Sequence, residues 1–208
     1  MTPQRPAATQ HERDVLQYCD DVLKKRVCAG ELEIAAVKRF LADLKRCGTP
    51  KKPSPFFFDF DDANKSIDFV QILKHTTGEF DQQPFLLEPW QKFVFFNLFG
   101  FKRRDHKARI VRRFREAFIT MGRGNGKSPM AAIILCRLMV LDGEARAQIK
   151  VAAVERDQAR IVFAEAIKLL ETSPYLAERC EFWKSSIVFK DLQSTIVPIG
   201  GEGERDGS

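Results

Sequence analysis

An α/β fold is predicted for this chain of 208 residues: a parallel sheet flanked by helices, with a helical N-terminal appendage and a β-hairpin near the C-terminus. Three observations carry the prediction. Residues 116–121 read as an apolar strand that feeds a glycine-rich turn and then an apolar helix at 127–141. Residues 148–154 and 156–170 repeat that order, strand then helix. Two such units in succession favour parallel strands joined by right-handed crossovers. Residues 12–27 and 31–47 carry apolar residues at helical spacing ahead of any strand signal, which sets a helical segment before the sheet.

The elements follow in order. Leu16, Tyr18, Cys19, Val22 and Leu23 form the stripe of the first helix. Leu32, Ile34, Ala35, Val37, Phe40, Leu41 and Leu44 form that of the second. Gly30 separates the two and Gly48 ends the second, so they read as a helical hairpin. Pro50, Pro53 and Pro55 among lysines break regular structure and mark residues 48–55 as a linker. The domains expected are a helical appendage at 1–50 and an α/β domain at 56–208. Residues 56–60 read as a short extended piece and 61–75 as a helix. Residues 90–101 read as a further helix, whose Phe93, Phe95, Phe96 and Phe99 belong in a core. Residues 185–190 and 194–199 alternate in polarity around 191–193, the pattern of a β-hairpin.

Composition narrows the function classes. A hydrophobic content of 44% supports a true core. No apolar run is long enough to span a bilayer, and the polar first residues lack the apolar segment of a secretory signal. Cys19, Cys28, Cys47, Cys136 and Cys180 are scattered, with no Cys-x-x-Cys pair. That argues against a disulfide framework or a zinc site, and a reducing cytoplasm is the expected compartment. The formal net charge of +6 suits an anionic partner, of which nucleic acid is the commonest.

The strongest signal is Gly122-Arg123-Gly124-Asn125-Gly126-Lys127-Ser128 between the expected strand and helix. Strand, glycine-rich turn, Lys-Ser and helix is the order of a P-loop, which holds a nucleoside triphosphate. The glycines let backbone N–H groups curl toward phosphate oxygens. Lys127 would reach the β- and γ-phosphates and the Ser128 hydroxyl would ligate Mg²⁺. The helix presents its positive end to the anion. The position where the usual pattern begins with Gly is Met121. The competing reading is a flexible glycine turn that merely joins strand to helix.

The charge is uneven. Lys102, Arg103, Arg104, Lys107, Arg109, Arg112, Arg113 and Arg115 fall in one short run, interleaved with Phe101, Ile110, Val111 and Phe114. One reading is a phosphate-contacting surface in which Arg103, Arg104, Arg112 and Arg113 are exposed. The other is a solvated basic loop leading into the expected strand.

Phe85-Leu86-Leu87-Glu88-Pro89-Trp90-Gln91, then the Arg-Gly-Asn-Gly-Lys-Ser loop, then Ala153-Val154-Glu155-Arg156-Asp157-Gln158-Ala159 stand in one order. Over residues 56–208 the chain resembles the N-terminal ATPase part of the large terminase subunit of tailed bacteriophages. The resemblance implies ATP-driven packaging of viral DNA into a procapsid, with ATP and Mg²⁺ as cofactors. It implies a host-cytoplasmic protein and no membrane. The implied partners are duplex DNA, the portal protein, the small terminase subunit and further copies in a ring. It implies that Gln91 contacts adenine, its amide offering a donor and an acceptor, against the plainer reading of a helix N-terminal Gln. It implies that Arg123 neutralises charge on the γ-phosphoryl group, against a local salt bridge. With Gly124, Asn125, Gly126, Lys127 and Ser128 these form the implied site, Lys127 and Arg123 being its catalytic members. Gln158 matches the family's segment, but a place at a helix start explains it and Asp157 equally.

The resemblance also implies a strand ending in Asp-Glu after the hairpin and a C-terminal nuclease domain. Neither is in these 208 residues, which are therefore expected to hold half of an ATPase site and to hydrolyse little ATP alone. Two other classes stay open: a helicase-type P-loop motor, and a non-catalytic nucleic-acid or protein-binding module.

Overall fold

The computed structural model describes residues 7–47, 54–76, 78–153 and 156–200. Residues 48–53 of the expected linker, Val154 and Glu155 at the end of the second expected strand, and 201–208 lie outside these. The chain forms two compact units: Met1–Asp68 with Leu87–Ile119, and Phe69–Leu86 with Thr120–Ser208.

The first unit opens with α1 (Gln10–Leu23), capped by Thr9, whose Oγ1 accepts from the Glu12 N–H at 3.2 Å. It buries Val15, Tyr18, Cys19 and Val22 on one face. In α2 (Glu31–Arg46), Glu31 and Glu33 sit in the first turn and Lys45 and Arg46 in the last, each sign matched to the helix dipole. Then come β1 (Phe56–Phe58), α3 (Phe60–Gln71), α4 (Pro89–Phe95), β2 (Phe101–Arg104) and β3 (Ile110–Arg112). From Phe69 onward α3 counts to the second unit.

Phenylalanine builds this core. Phe40 meets Phe93, Phe101 and Phe58 edge-on at 5.3, 5.7 and 5.9 Å, and Phe58 meets Phe101 at 4.8 Å. Phe95, Phe96 and Phe99 are buried too, as the sequence predicts. Burying one such side chain is worth roughly 1.5–3 kcal/mol, and edge-to-face contacts add about 0.5–1.5 kcal/mol each. Lys92 pairs with Asp14 at 2.6 Å, tying α4 to α1.

The helix expected over 90–101 stops earlier. After Phe95 the backbone widens into a π turn, Phe96–Gly100, and Phe101 is already extended. Asn97 supports the turn by donating to the Phe93 carbonyl at 2.9 Å. Gly100 is required by contact: a Cβ there would lie 2.2 Å from Phe58 Cζ.

Residues 102–115, open between a loop and a contact surface in sequence, contain an antiparallel hairpin. Phe58 pairs with Phe101 and Phe56 with Arg103; Lys102 pairs with Arg112 and Arg104 with Ile110. Asp105 makes the turn. Its Oδ1 accepts from the backbone N–H groups of Lys107 at 2.8 Å and Arg109 at 2.9 Å, while Ala108 takes φ 59°.

The second unit holds α5 (Lys127–Leu141), β4 (Gln148–Ala153), α6 (Arg156–Glu171), α7 (Pro174–Arg179), β5 (Cys180–Trp183), β6 (Ser186–Phe189) and β7 (Ser194–Gly200). Its sheet is mixed, in the order β4-β7-β6-β5. β4 and β7 run parallel from Gln148↔Thr195 to Ala153↔Gly200, and the other two pairs are antiparallel. The β6–β7 hairpin, α5, α6 and β4 stand where the sequence puts them; α7 and β5 were not foreseen. Ile133, Cys136 and Met139 of α5, Ala166, Leu169 and Leu170 of α6, and Ile187 and Ile196 of the sheet are fully buried.

The strand expected over 116–121 is not formed. These residues are outside every described strand, and Phe118 is 91% exposed. A strand exists through its ladder of hydrogen bonds, and no described strand pairs with this segment. The fold is thus α/β, with one parallel pair rather than a parallel sheet built outward from the glycine loop.

Gly100→Ala is expected to destabilise the first unit by about 1–3 kcal/mol, the usual cost of overpacking a filled core. Denaturant unfolding followed by fluorescence measures it, and an unchanged midpoint would refute the close approach of Phe58.

Candidate nucleotide-binding site

The candidate site begins where α5 begins. Gly126 is the N-cap, in the left-handed region at φ 72°, and Gly124 lies at φ 86°. An L side chain is strained at either angle. No atom lies within 4 Å of where a Cβ would stand at either glycine, so space over the loop is open on that side. Gly126 offers no side-chain cap, and the first N–H groups of the helix have no intrahelical partner. The first helical bond runs from the Met130 N–H to the Gly126 carbonyl at 3.0 Å. Pro129 falls in the first turn, where a missing N–H costs nothing.

The loop is electropositive. Arg123 and Lys127 are exposed and make no ion pair among the described residues. Glu116 is the last acid before the helix. Asn125 bends back over Gly122, where a Cβ would meet Asn125 Nδ2 at 3.2 Å. Ser128 is half-buried at the second helical position. A chain of backbone donors, two cations and one hydroxyl can hold a polyphosphate. Among the described residues no cluster of three or more His, Cys, Asp or Glu could hold a metal by itself. Of the sequence-predicted site, only the Ser128 hydroxyl is a ligand suited to Mg²⁺.

What holds this loop is α5, and its main polar anchor escaped the sequence reading. Arg137 is fully buried and pairs with Asp142 just past the helix end. The signal was there: an arginine in an otherwise apolar helix, with an aspartate one turn on.

Gln91 belongs to the other unit. It is 8% exposed, and its Oε1 accepts from the Glu88 N–H at 2.8 Å, closing a capping box at the start of α4. Gln158 is exposed in the first turn of α6, beside Asp157.

The basic run is sorted by its partners. Lys102 pairs with Asp62 at 2.5 Å and is nearly buried. Arg113, expected to be exposed, lies 2.8 Å from Asp43, which is itself buried. Its guanidinium stacks 3.7 Å over the Phe56 ring, and the desolvated carboxylate and the aromatic face draw it inward. Arg103 and Arg112 are half-buried and Arg104 is exposed.

A family model described as terminase large subunit, ATPase domain, matches residues 89–201. The chain belongs to this family. The matched stretch contains Gln91, the basic hairpin and the glycine loop. The terminase large subunits of Lactococcus phages p2 and SK1 are each 28% identical over 122 residues, covering 58% of this chain. The chain spans 22% of the length of these relatives. The crystal structure of the HK97 bacteriophage large terminase superposes with a TM-score of 0.56 at 23% identity, over 70% of this chain and 29% of that one. This likeness supports the α/β fold. No described helix of this terminase ATPase chain is long and apolar enough to cross a membrane.

Removing Arg113 leaves the Asp43 carboxylate buried without its cation. Arg113→Gln is expected to cost about 3 kcal/mol, the scale for breaking a buried pair. Arg104→Gln at the exposed hairpin end is expected to cost under about 0.5 kcal/mol. Thermal melting of the two variants side by side checks the contrast.

Proposed function

We propose that this chain is the ATP-binding part of a viral DNA-packaging motor. The observation that carries the reading is the left-handed backbone at Gly124 and Gly126 in an open, cationic loop at the head of a buried helix. In this reading the loop N–H groups take the phosphates and Lys127 neutralises the β- and γ-oxygens. Arg123 stabilises charge that develops on the transferred group. Ser128 contributes its hydroxyl to Mg²⁺, which when bound neutralises and orients the triphosphate. Gln91 contacts adenine through its amide, with one acceptor site already used by the Glu88 N–H. The fold proposed is the P-loop type, a parallel sheet flanked by helices. The domains proposed remain a helical appendage at 1–50 and the ATPase part at 56–208.

The whole protein's activity is proposed to be ATP hydrolysis coupled to translocation of duplex DNA, with a nuclease elsewhere in the polypeptide. Portal protein, small terminase subunit and further copies in a ring are the proposed partners, in the host cytoplasm. The basic hairpin, including Arg103, Arg104, Arg112 and Arg113, is the proposed DNA-facing segment, with Arg113 shaping it from within.

ATP with Mg²⁺ is expected to bind the chain weakly, and Lys127→Ala is expected to abolish binding while leaving the melting temperature unchanged. Titration calorimetry decides: equal affinity in parent and variant would remove the P-loop assignment. Phosphate release by the 208 residues alone is expected to stay at background, since the described residues offer no carboxylate cluster to hold the metal. Turnover that Lys127→Ala eliminates would instead assign that role to a carboxylate of this chain.

A further inference from the structure

We infer that the tip of the β2–β3 hairpin is the duplex-DNA contact of this chain, with Arg104, Lys107 and Arg109 meeting phosphates along a groove. The inference rests on the packaging reading above and narrows it to one surface.

The shape of the tip suits a groove. β1 reaches only to the rung Phe56↔Arg103. Among the described residues, no third strand lies beside the Arg104↔Ile110 rung and the turn that closes it. The described tip is therefore a two-stranded ribbon that continues past the last rung of β1. A ribbon of that width is one of the two elements that the major groove of B-DNA admits.

Charge is allotted unevenly between root and tip. Lys102 and Arg113 are committed to Asp62 and Asp43 inside the unit. Arg104, Lys107 and Arg109 are exposed at the tip, together with His106. The single acid there, Asp105, is turned inward. Its side chain is 7% exposed and accepts from two backbone N–H groups and from the Arg109 guanidinium at 2.8 Å. Arg109 keeps its side chain 67% exposed while held by that pair. Arg104 donates from Nη1 to the Ala108 carbonyl at 3.1 Å, which leaves the rest of its planar fork directed outward. Two guanidinium groups are thus oriented by the turn before any ligand arrives, and that lowers the ordering cost of binding.

The side chains at the tip favour nucleic acid over an acidic protein. Protein interfaces centre on buried apolar or aromatic anchors. The tip carries no aromatic residue, and Ile110 is its one exposed large apolar side chain. Cations on a narrow ribbon without an apolar anchor fit phosphates, which position a duplex without reading its sequence.

The test uses the whole chain and a random-sequence duplex, with anisotropy measured across a salt series. Arg104→Gln with Lys107→Gln leaves the Asp105–Arg109 pair intact, so the turn is preserved. This double variant is expected to lose tenfold or more in affinity, with the slope of log K against log salt falling by about 0.9 per cation removed. Adding Arg109→Gln is expected to lower the slope again. Lys38→Gln with Lys45→Gln removes equal charge from exposed positions of α2, outside the hairpin, and is expected to stay within twofold of the parent. Melting curves and ATP titration accompany each variant. Parent-like affinity and slope in the double variant would overturn the inference, as would an equal loss in the control. Poly-glutamate competing as well as duplex DNA would reassign the tip to an acidic protein and also overturn it. Loss of ATP binding by Lys127→Ala with no DNA binding by the parent would defeat the tip and keep the nucleotide site.

Discussion

Helix α5 has no wet face, and the glycine loop depends on that. No residue from Ser128 to Leu141 is exposed. A helix with apolar side chains all round gains stability only by being covered on every side, and burial fixes its rotation and height together. Three polar contacts then set the register. The Ser194 hydroxyl donates to the Met139 carbonyl at 2.8 Å, the Cys136 thiol approaches the Ala166 carbonyl, and Arg137 pairs with Asp142. Burial also pushes the Cys136 thiol pKa well above its usual range, so this cysteine behaves as a packed apolar group. A loop at the head of such a helix is held at its last residue, Gly126, and can curl only because Gly124 and Gly126 accept positive φ.

The parts of this arrangement that sequence reveals are those encoded by local chemistry. α5, α6, β4 and the β6–β7 hairpin each carry their own periodicity or turn signal, so their limits were legible. The glycine loop was legible for the same reason: its residues are chosen for backbone angles, and glycine states that directly. Residues 116–121 show the converse. Their composition is that of a strand, but strand formation is a property of two segments, and apolar content in one does not supply the neighbour's N–H and C=O groups. The π turn at Phe96–Gly100 was illegible too, because it answers to the Phe58 ring, a contact set by β1.

Charge is where sequence is least informative. Lys102, Arg104 and Arg113 read alike in a list of residues. The fold gives the first an aspartate on α3, the second open solvent and the third an aspartate on α2 with an aromatic face. Strand alternation does part of the sorting: Lys102 and Arg104 share one face, Arg103 and Arg113 the other. The rest comes from where α2 and α3 place their acids. Gln91 teaches the same lesson, since a residue matched by its motif to a base contact has its carbonyl engaged in capping its own helix.

The internal pairs and the exposed tip are parts of one construction. A hairpin whose root carried unpaired cations would repel itself, with little water at Lys102 and Arg113 to screen it. Asp62 and Asp43 remove that repulsion at the root, and Asp105, pulled into the turn by two N–H groups, fixes the backbone of the tip. Burial works against ionising Asp105, but the Arg109 N–H and guanidinium outweigh it and hold its pKa below the usual carboxylate value. Its folded pKa being the lower one, its stabilising effect is present above the ordinary carboxylate range and fades as pH falls through the depressed value. Near neutral pH the turn is therefore fully braced. A ribbon braced at both root and tip can present Arg104 and Arg109 at fixed spacing. Fixed spacing is what a surface needs if it is to meet successive phosphates of a duplex rather than an arbitrary anion.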